Sequence, residues 1–236
     1  MSEVSGDRIT EAVTFDRVSK DGRVRRETIT LLKEFVTALH VNGEHYTDIV
    51  CTCTDIYDLC VGRLFCDGWI SSAEDIRSFE IKEEEGRASF EVKADAPEEV
   101  LLQPLTRSIF DERDLYAAAG AFAAGLPVHE ITFAAHCAIL VRGGIVIYFC
   151  EDISRHNALD KAIGYMVSNR LSPEGIVLLT SGRMPVDMIK KAAIAGIGTL
   201  AGKAMPTADS VALAKKYGIT LIGRLSQDGY VVLPED

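Results

Sequence analysis

Residues 145–168 read IVIYFCEDISRHNALDKAIGYMVS, 176–195 read IVLLTSGRMPVDMIKKAAIA, 197–217 read IGTLAGKAMPTADSVALAKKY, and 220–223 read TLIG. Each of the first three blocks opens on a short run of Ile, Val, Leu or aromatic residues, passes through a polar loop and closes on about ten residues with helical spacing. Such runs are strands buried on both faces, and their alternation with helices calls for crossover units and a parallel or mixed sheet covered by helices. The expected strands are 145–150, 176–180, 197–201 and 220–223, with helices over 157–168, 185–195 and 208–217. Upstream, Ile131–Val141 reads as a further strand, turning at Gly143-Gly144 into the strand at 145.

The first half has a different texture. Thr28–Leu32 and Phe35–Val41 read as strands, and Asn42-Gly43 before His45–Cys53 is a hairpin signal, because both turn positions need positive φ. Thr54 and Asp55 supply a helix start, and Ile56, Leu59, Cys60 and Leu64 keep one apolar stripe up to Cys66 and Gly68. Ser78–Ile81 and Ala88–Val92 form another hairpin, and Asp114–Ala124 an alanine-rich helix closed by Gly125 and Pro127. The expected organisation is a polar lead-in over 1–24, a smaller β-rich N-terminal subdomain over 25–127 containing a charged, proline-bearing mobile loop at 94–113, and a C-terminal α/β domain over 128–236.

Composition narrows the function. In 236 residues, 35 acidic against 25 basic side chains give a formal charge of −10, which argues against general nucleic-acid binding. Hydrophobic residues make up 47% and charged residues 25%, an ordinary globular balance. No apolar run approaches the length of a membrane span, and Met1–Val13 has no apolar signal core, so a cytoplasmic protein is expected, with no membrane partner. None of the six cysteines lies in a CxxC pair, and no structural metal is expected. There is no P-loop and no nucleophile elbow. His129-Glu130 lacks the spacer of the zinc-deaminase H-x-E motif, and no PCxxC follows.

The loops after the strands carry the chemistry, since ligands of open α/β sheets bind beyond the carboxyl ends of the strands. The first offers Glu151, Asp152, Arg155, His156 and Asn157, the second Thr180, Ser181 and Arg183, and the third Gly202, Lys203 and Thr207. Capping would explain each loop alone. Repeated cations beside helix N-termini suit a pyrophosphate or nucleotide. His136 and Cys137 share a strand; a core histidine is the commoner reading, and a Cys/His pair drawn from Cys137 or Cys150 with His136 or His156 the alternative. Cys51 and Cys53 share a strand face that points to the core.

The run Glu151–Gly164 resembles the EDxGRHNAxDKxxG signature of the FdhD family of formate dehydrogenase accessory sulfurtransferases. Thr180-Ser181-Gly182-Arg183, Met205-Pro206-Thr207, Gly218–Gly223, Val41-Asn42-Gly43 and the segment from Cys53-Thr54-Asp55 to Asp67-Gly68 follow in order, so the likeness spans roughly residues 35–233. The resemblance implies a cytidine-deaminase-like α+β fold without zinc, a homodimer, and guanine-nucleotide binding. It also implies transfer of sulfur from a cysteine desulfurase to the molybdenum (or tungsten) bis-molybdopterin guanine dinucleotide cofactor, bound as substrate, of formate dehydrogenase. The cofactor-binding residues so implied are Arg155, His156, Asn157, Asp160, Lys161, Ser181, Gly182, Arg183, Thr207 and Gly223, with Cys137 as candidate thiol. Three departures stand out. Ser154 replaces the signature's glycine, Arg224-Leu225-Ser226 replaces an aromatic-led stretch, and 94–113 lacks the family's CxxC. The alternative expectation is therefore a cofactor chaperone that does not carry sulfur.

Overall fold

The computed structural model describes residues 6–105 and 110–233. In chain order the elements are α1 (Gly6–Ile9), β1 (Thr10–Val18), β2 (Val24–Leu32), β3 (Phe35–Val41), β4 (Glu44–Cys51), α2 (Ile56–Cys66), β5 (Ile76–Lys82), β6 (Arg87–Val92), α3 (Glu112–Ala123), α4 (Pro127–Thr132), β7 (His136–Arg142), β8 (Ile145–Asp152), α5 (Arg155–Ser168), β9 (Val177–Thr180), α6 (Val186–Ile194), β10 (Thr199–Gly202), α7 (Ala208–Tyr217), β11 (Thr220–Gly223) and β12 (Val231–Leu233).

The second half forms the expected mixed sheet, with strand order β12-β11-β10-β9-β7-β8. Strands β9, β10 and β11 run parallel, while β7 is antiparallel to both β8 and β9. It follows that β8 to β11, β7 apart, point the same way, and that the start of β7 lies at their carboxyl ends. Both faces are covered, which is why the strands read as unbroken apolar runs. Ala138 and Leu140 of β7 join the core beneath α5 and α6, whereas Cys137, Ile139 and Val141 face the core under α3. The first half makes a four-stranded sheet, β4-β3-β6-β5, whose inner residues Leu39, Cys51, Ala88 and Phe90 pack on α2 through Leu59, Cys60 and Leu64. Asn42 and Gly43 both take positive φ, as the β3–β4 hairpin requires.

Three segments differ from expectation, the last of them β12, which pairs antiparallel to β11 although the run 220–223 read as the final strand. Residues 10–18, read as part of a polar lead-in, form β1, paired with β2 in a separate two-stranded ribbon from Thr10↔Leu32 to Val18↔Val24. Its turn is built on Asp21-Gly22, with Gly22 at φ 81°. Residues 131–135, read as strand, instead end a short helix, because Pro127 starts α4 at its first turn and Phe133 closes it in the left-handed conformation at φ 54°. Strand β7 accordingly begins at His136.

The expected mobile loop at 94–113 includes residues 106–109, which lie outside the described residues. Before them the chain is irregular and tied to the body by Glu98 N–H to Gly68 O and Leu105 N–H to Tyr217 O, both 2.9 Å.

The two sheets meet where α2 crosses α5. Gly62 and Gly164 face each other's helix so closely that a Cβ on Gly62 would overlap the Asp160 carbonyl, and one on Gly164 the Asp58 carbonyl.

Candidate functional site

Helix α5 starts at Arg155, two residues earlier than its apolar spacing suggests. Ser154 is extended (φ −114°, ψ 130°), and its hydroxyl accepts the His156 N–H as an N-cap. The position thus has no need of the signature's glycine; serine supplies the cap instead. The early start puts Arg155 and His156 in the first turn of α5, at the rim of the sheet.

Further along, the same helix turns its signature residues inward. Lys161 is fully buried, with its ammonium 2.7 Å from Asp152 Oδ2, 2.8 Å from Thr52 Oγ1, 3.2 Å from Thr54 Oγ1 and 3.1 Å from the Glu151 carbonyl. Four acceptors for three N–H groups leave it nothing to offer a ligand. Asp152, also fully buried, accepts the Thr52 N–H and hydroxyl at 3.1 Å each and the Asn157 amide at 2.9 Å. Asn157 reaches on to the Val50 carbonyl at 2.6 Å. Asp160 pairs with Lys191 and with Arg63 at 3.1 Å; burial pushes its carboxyl pKa up, against these two cations. Asn157, Asp160 and Lys161 are therefore spent inside the protein, joining its halves.

At the second loop, Ser181 Oγ accepts the Cys137 N–H at 2.9 Å and lies 3.2 Å from His136 Nδ1. Thr180 Oγ1 accepts the Gly182 N–H at 3.2 Å. Gly182 is buried under Arg155, and a Cβ there would sit 2.7 Å from Arg155 Cδ, so only glycine lets the arginine stem lie on this turn. The Arg155 Nε is buried with no hydrogen-bond partner. Arg183 is exposed beside it and forms no ion pair among the described residues. Burial and then the Arg155 cation lower the pKa of His136. His156 Nε2 lies 2.6 Å from Asp187 Oδ2, tying α5 to α6; burial lowers its pKa and Asp187 opposes that.

The third loop is joined to the second by a parallel bridge between Met184 and Pro206. Thr207 caps α7, accepting the Ser210 N–H at 3.3 Å, and the Lys203 ammonium stands 4.8 Å from the Phe122 ring centre. Gly223 lies against Met205, whose sulfur would be 2.6 Å from a Cβ there. Of the expected site residues, Arg155, Ser181 and Gly182 come together directly, with Arg183 on the same turn. Thr207 and Gly223 shape neighbouring turns.

The contacts that fix this rim follow no local sequence pattern. Glu151 accepts the Val128 and His129 N–H groups at 2.9 and 2.8 Å, so the first acid of the signature caps α4. Thr52 and Thr54, about a hundred positions upstream, carried no signal for their role.

All six cysteines are buried and unpaired. Cys137 is fully buried and burial pushes its thiol up to about 12; Cys51 is pushed up to about 11. Cys60, Cys66 and Cys150 are also raised by burial. Cys53 donates to the Arg8 carbonyl at 3.5 Å. A reactive thiolate needs an electropositive, partly exposed setting, and Cys137 has neither the exposure nor the low pKa. Among the described residues, no three metal-ligating side chains gather, and no helix is long and apolar enough to cross a membrane.

Comparison with known proteins agrees with the resemblance read from the loops. The "Sulfur carrier protein FdhD" of Staphylococcus aureus strain MRSA252 is 27% identical, with 89% of each chain covered, and that of strain JH9 is 26% identical with the same coverage. A crystal structure of a formate dehydrogenase accessory protein from Desulfotalea psychrophila superposes with a TM-score of 0.86 at 23% identity, covering 96% of this chain and 97% of that one, and so shares the fold. The pattern of the FdhD/NarQ family matches residues 32–107 and 96–235, nearly the whole length, and the chain belongs to that family.

Proposed function

We propose that this protein is an accessory factor for formate dehydrogenase that holds a guanine dinucleotide form of the molybdenum cofactor by its phosphates, on the rim made by Arg155, Ser181, Gly182 and Arg183. The observation that carries this reading is the buried, unpartnered Nε of Arg155. An unsatisfied donor of a charged group is costly, and a phosphate oxygen is the partner that a guanidinium fork fits best. Lys161 and Asp160 contribute by fixing α5, and with it Arg155.

Titration calorimetry with guanosine diphosphate and with pyrophosphate tests the reading. Arg155→Ala is expected to weaken both by about 1.5–3 kcal/mol, the range for a charge-assisted contact. Arg183→Ala should cost less, since its exposed side chain is screened by solvent. Unchanged affinity in Arg155→Ala removes the rim from the cofactor site.

Sulfur transfer from a cysteine desulfurase, with assembly as a homodimer, is the second reading, and the name given to the S. aureus relatives favours it. Burial of every thiol places it second here. Incubation with a cysteine desulfurase and cysteine, followed by intact-mass measurement, separates the two. A gain of one sulfur atom restores the carrier role, and an unmodified chain that still binds nucleotide supports cofactor holding.

A further inference from the structure

Phe133 combines two features that a folded chain normally avoids. Its backbone is left-handed at φ 54°, a conformation that bulky side chains rarely adopt, and its ring is 81% exposed. Its one ring–ring contact among the described residues is with His129, edge-on at 6.0 Å between centres. The local structure nevertheless enforces this conformation. The Phe133 N–H bonds to the His129 carbonyl at 2.6 Å, His129 Nδ1 lies 2.7 Å from the Ala135 carbonyl, and Thr132 Oγ1 bonds to the Val128 carbonyl at 2.7 Å. Glu151 holds the other end of the same short helix. A strained conformation kept by surrounding bonds is an indicator of function when it sits at a site.

Its place in the fold supplies the site. Phe133 lies three residues before His136, at the start of β7, which runs antiparallel between β8 and β9. This end of β7 therefore stands between the two loops that carry Arg155 and Ser181, and His136 reaches Ser181 directly. An exposed aromatic ring three residues from the histidine that meets this rim matches a ligand that is charged at one end and a flat ring at the other.

We propose that Phe133 is a stacking wall for a fused bicyclic heterocycle, guanine or pterin, whose phosphate is held at Arg155. This deepens the cofactor-holding reading and rests on it. Every base has a π-face, so stacking adds affinity without a hydrogen-bond code.

The test titrates guanosine diphosphate, hydroxymethylpterin diphosphate and inorganic pyrophosphate into the wild type, Phe133→Ala and Phe133→Trp. Phe133→Ala should weaken whichever ring-bearing ligand the wild type binds by roughly tenfold, equivalent to about 1.4 kcal/mol, and leave pyrophosphate unchanged. Phe133→Trp should restore the lost affinity, which a merely structural role would not do. The two ring-bearing ligands tell guanine from pterin as the stacked group. Equal affinity of Phe133→Ala and wild type for the ring-bearing ligands overturns the proposal, as does a wild type that binds pyrophosphate as tightly as either of them. Failure of all three ligands to bind the wild type overturns the cofactor-holding reading itself, and this inference with it.

Discussion

Lys161 is a charge that water does not reach, held by Asp152, Thr52, Thr54 and the Glu151 carbonyl. A buried ion pair adds little over a well-packed apolar pair, but removing one partner strands the other. Lys161→Met is therefore expected to lose about 3–5 kcal/mol of stability, and the double variant Lys161→Met/Asp152→Asn to recover part of that loss, both measured by urea denaturation. The residues involved were visible in the sequence, their direction only in part. Asn157, Asp160, Lys161 and Gly164 stand at i, i+3, i+4 and i+7, one face of a helix, and it is the family signature that implied a cofactor-binding role for the first three. What turns that face inward is a set of partners remote in sequence: Val50, Thr52, Arg63 and Lys191. No local pattern announces them. Arg155 and Ser181 were legible because loops at strand ends are where such sheets bind ligands, whereas Phe133 was hidden inside an apolar run that read as strand.

At the scale of elements, the strands and helices after residue 136 follow from periodicity, because each strand is buried on both faces and each helix has one apolar stripe. In the ribbon, β1 and the first residues of β2 escaped the same reading, while Thr28–Leu32 of β2 did not. Most of the ribbon's side chains are exposed, and apart from Val13 and Phe15 its first strand shows little apolar alternation. Helix α4 escaped because it is six residues long, too short for a helical period to show. The crossing of α2 and α5 is the contact on which both sheets depend, and Gly62 and Gly164 set how closely the helices approach. Gly164→Ala would drive a methyl group into the Asp58 carbonyl, a backbone atom that cannot step aside, and is expected to cost about 3 kcal/mol or more. Gly120→Ala in α3 makes the same chemical change where nothing lies within 4 Å, and should instead stabilise by about 0.5–1 kcal/mol. Thermal melts of the two variants should move in opposite directions from the wild type. A Gly164→Ala protein that melts with the wild type would mean that the helices can separate without loss.

Over the whole molecule, these contacts decide whether the two sheets unfold as one body. Thr52 and Val50 come from the end of the four-stranded sheet, while Asp152, Asn157 and Lys161 come from the six-stranded one, so the buried charges and their hydrogen bonds belong to neither alone. Separating the sheets would expose Lys161 and Asp152 to water and uncover the apolar faces of α2 and α5 in a single event. The cost of partial unfolding is thus close to that of complete unfolding, which is the condition for two-state behaviour. Trp69, the one tryptophan, sits at the end of α2 with its ring 5.4 Å from Tyr46 of β4, and reports the first half. Helices α3 to α7 dominate the far-ultraviolet circular dichroism and report the second half. In wild-type protein the tryptophan fluorescence and circular dichroism midpoints in urea are expected to coincide. In Lys161→Met, where the shared network is cut, the fluorescence change should come first, because the four-stranded sheet has one core, under α2, where the six-stranded sheet has one on each face. Two separate wild-type transitions would show that the halves are independent bodies, and that the signature residues of α5 serve something other than joining them.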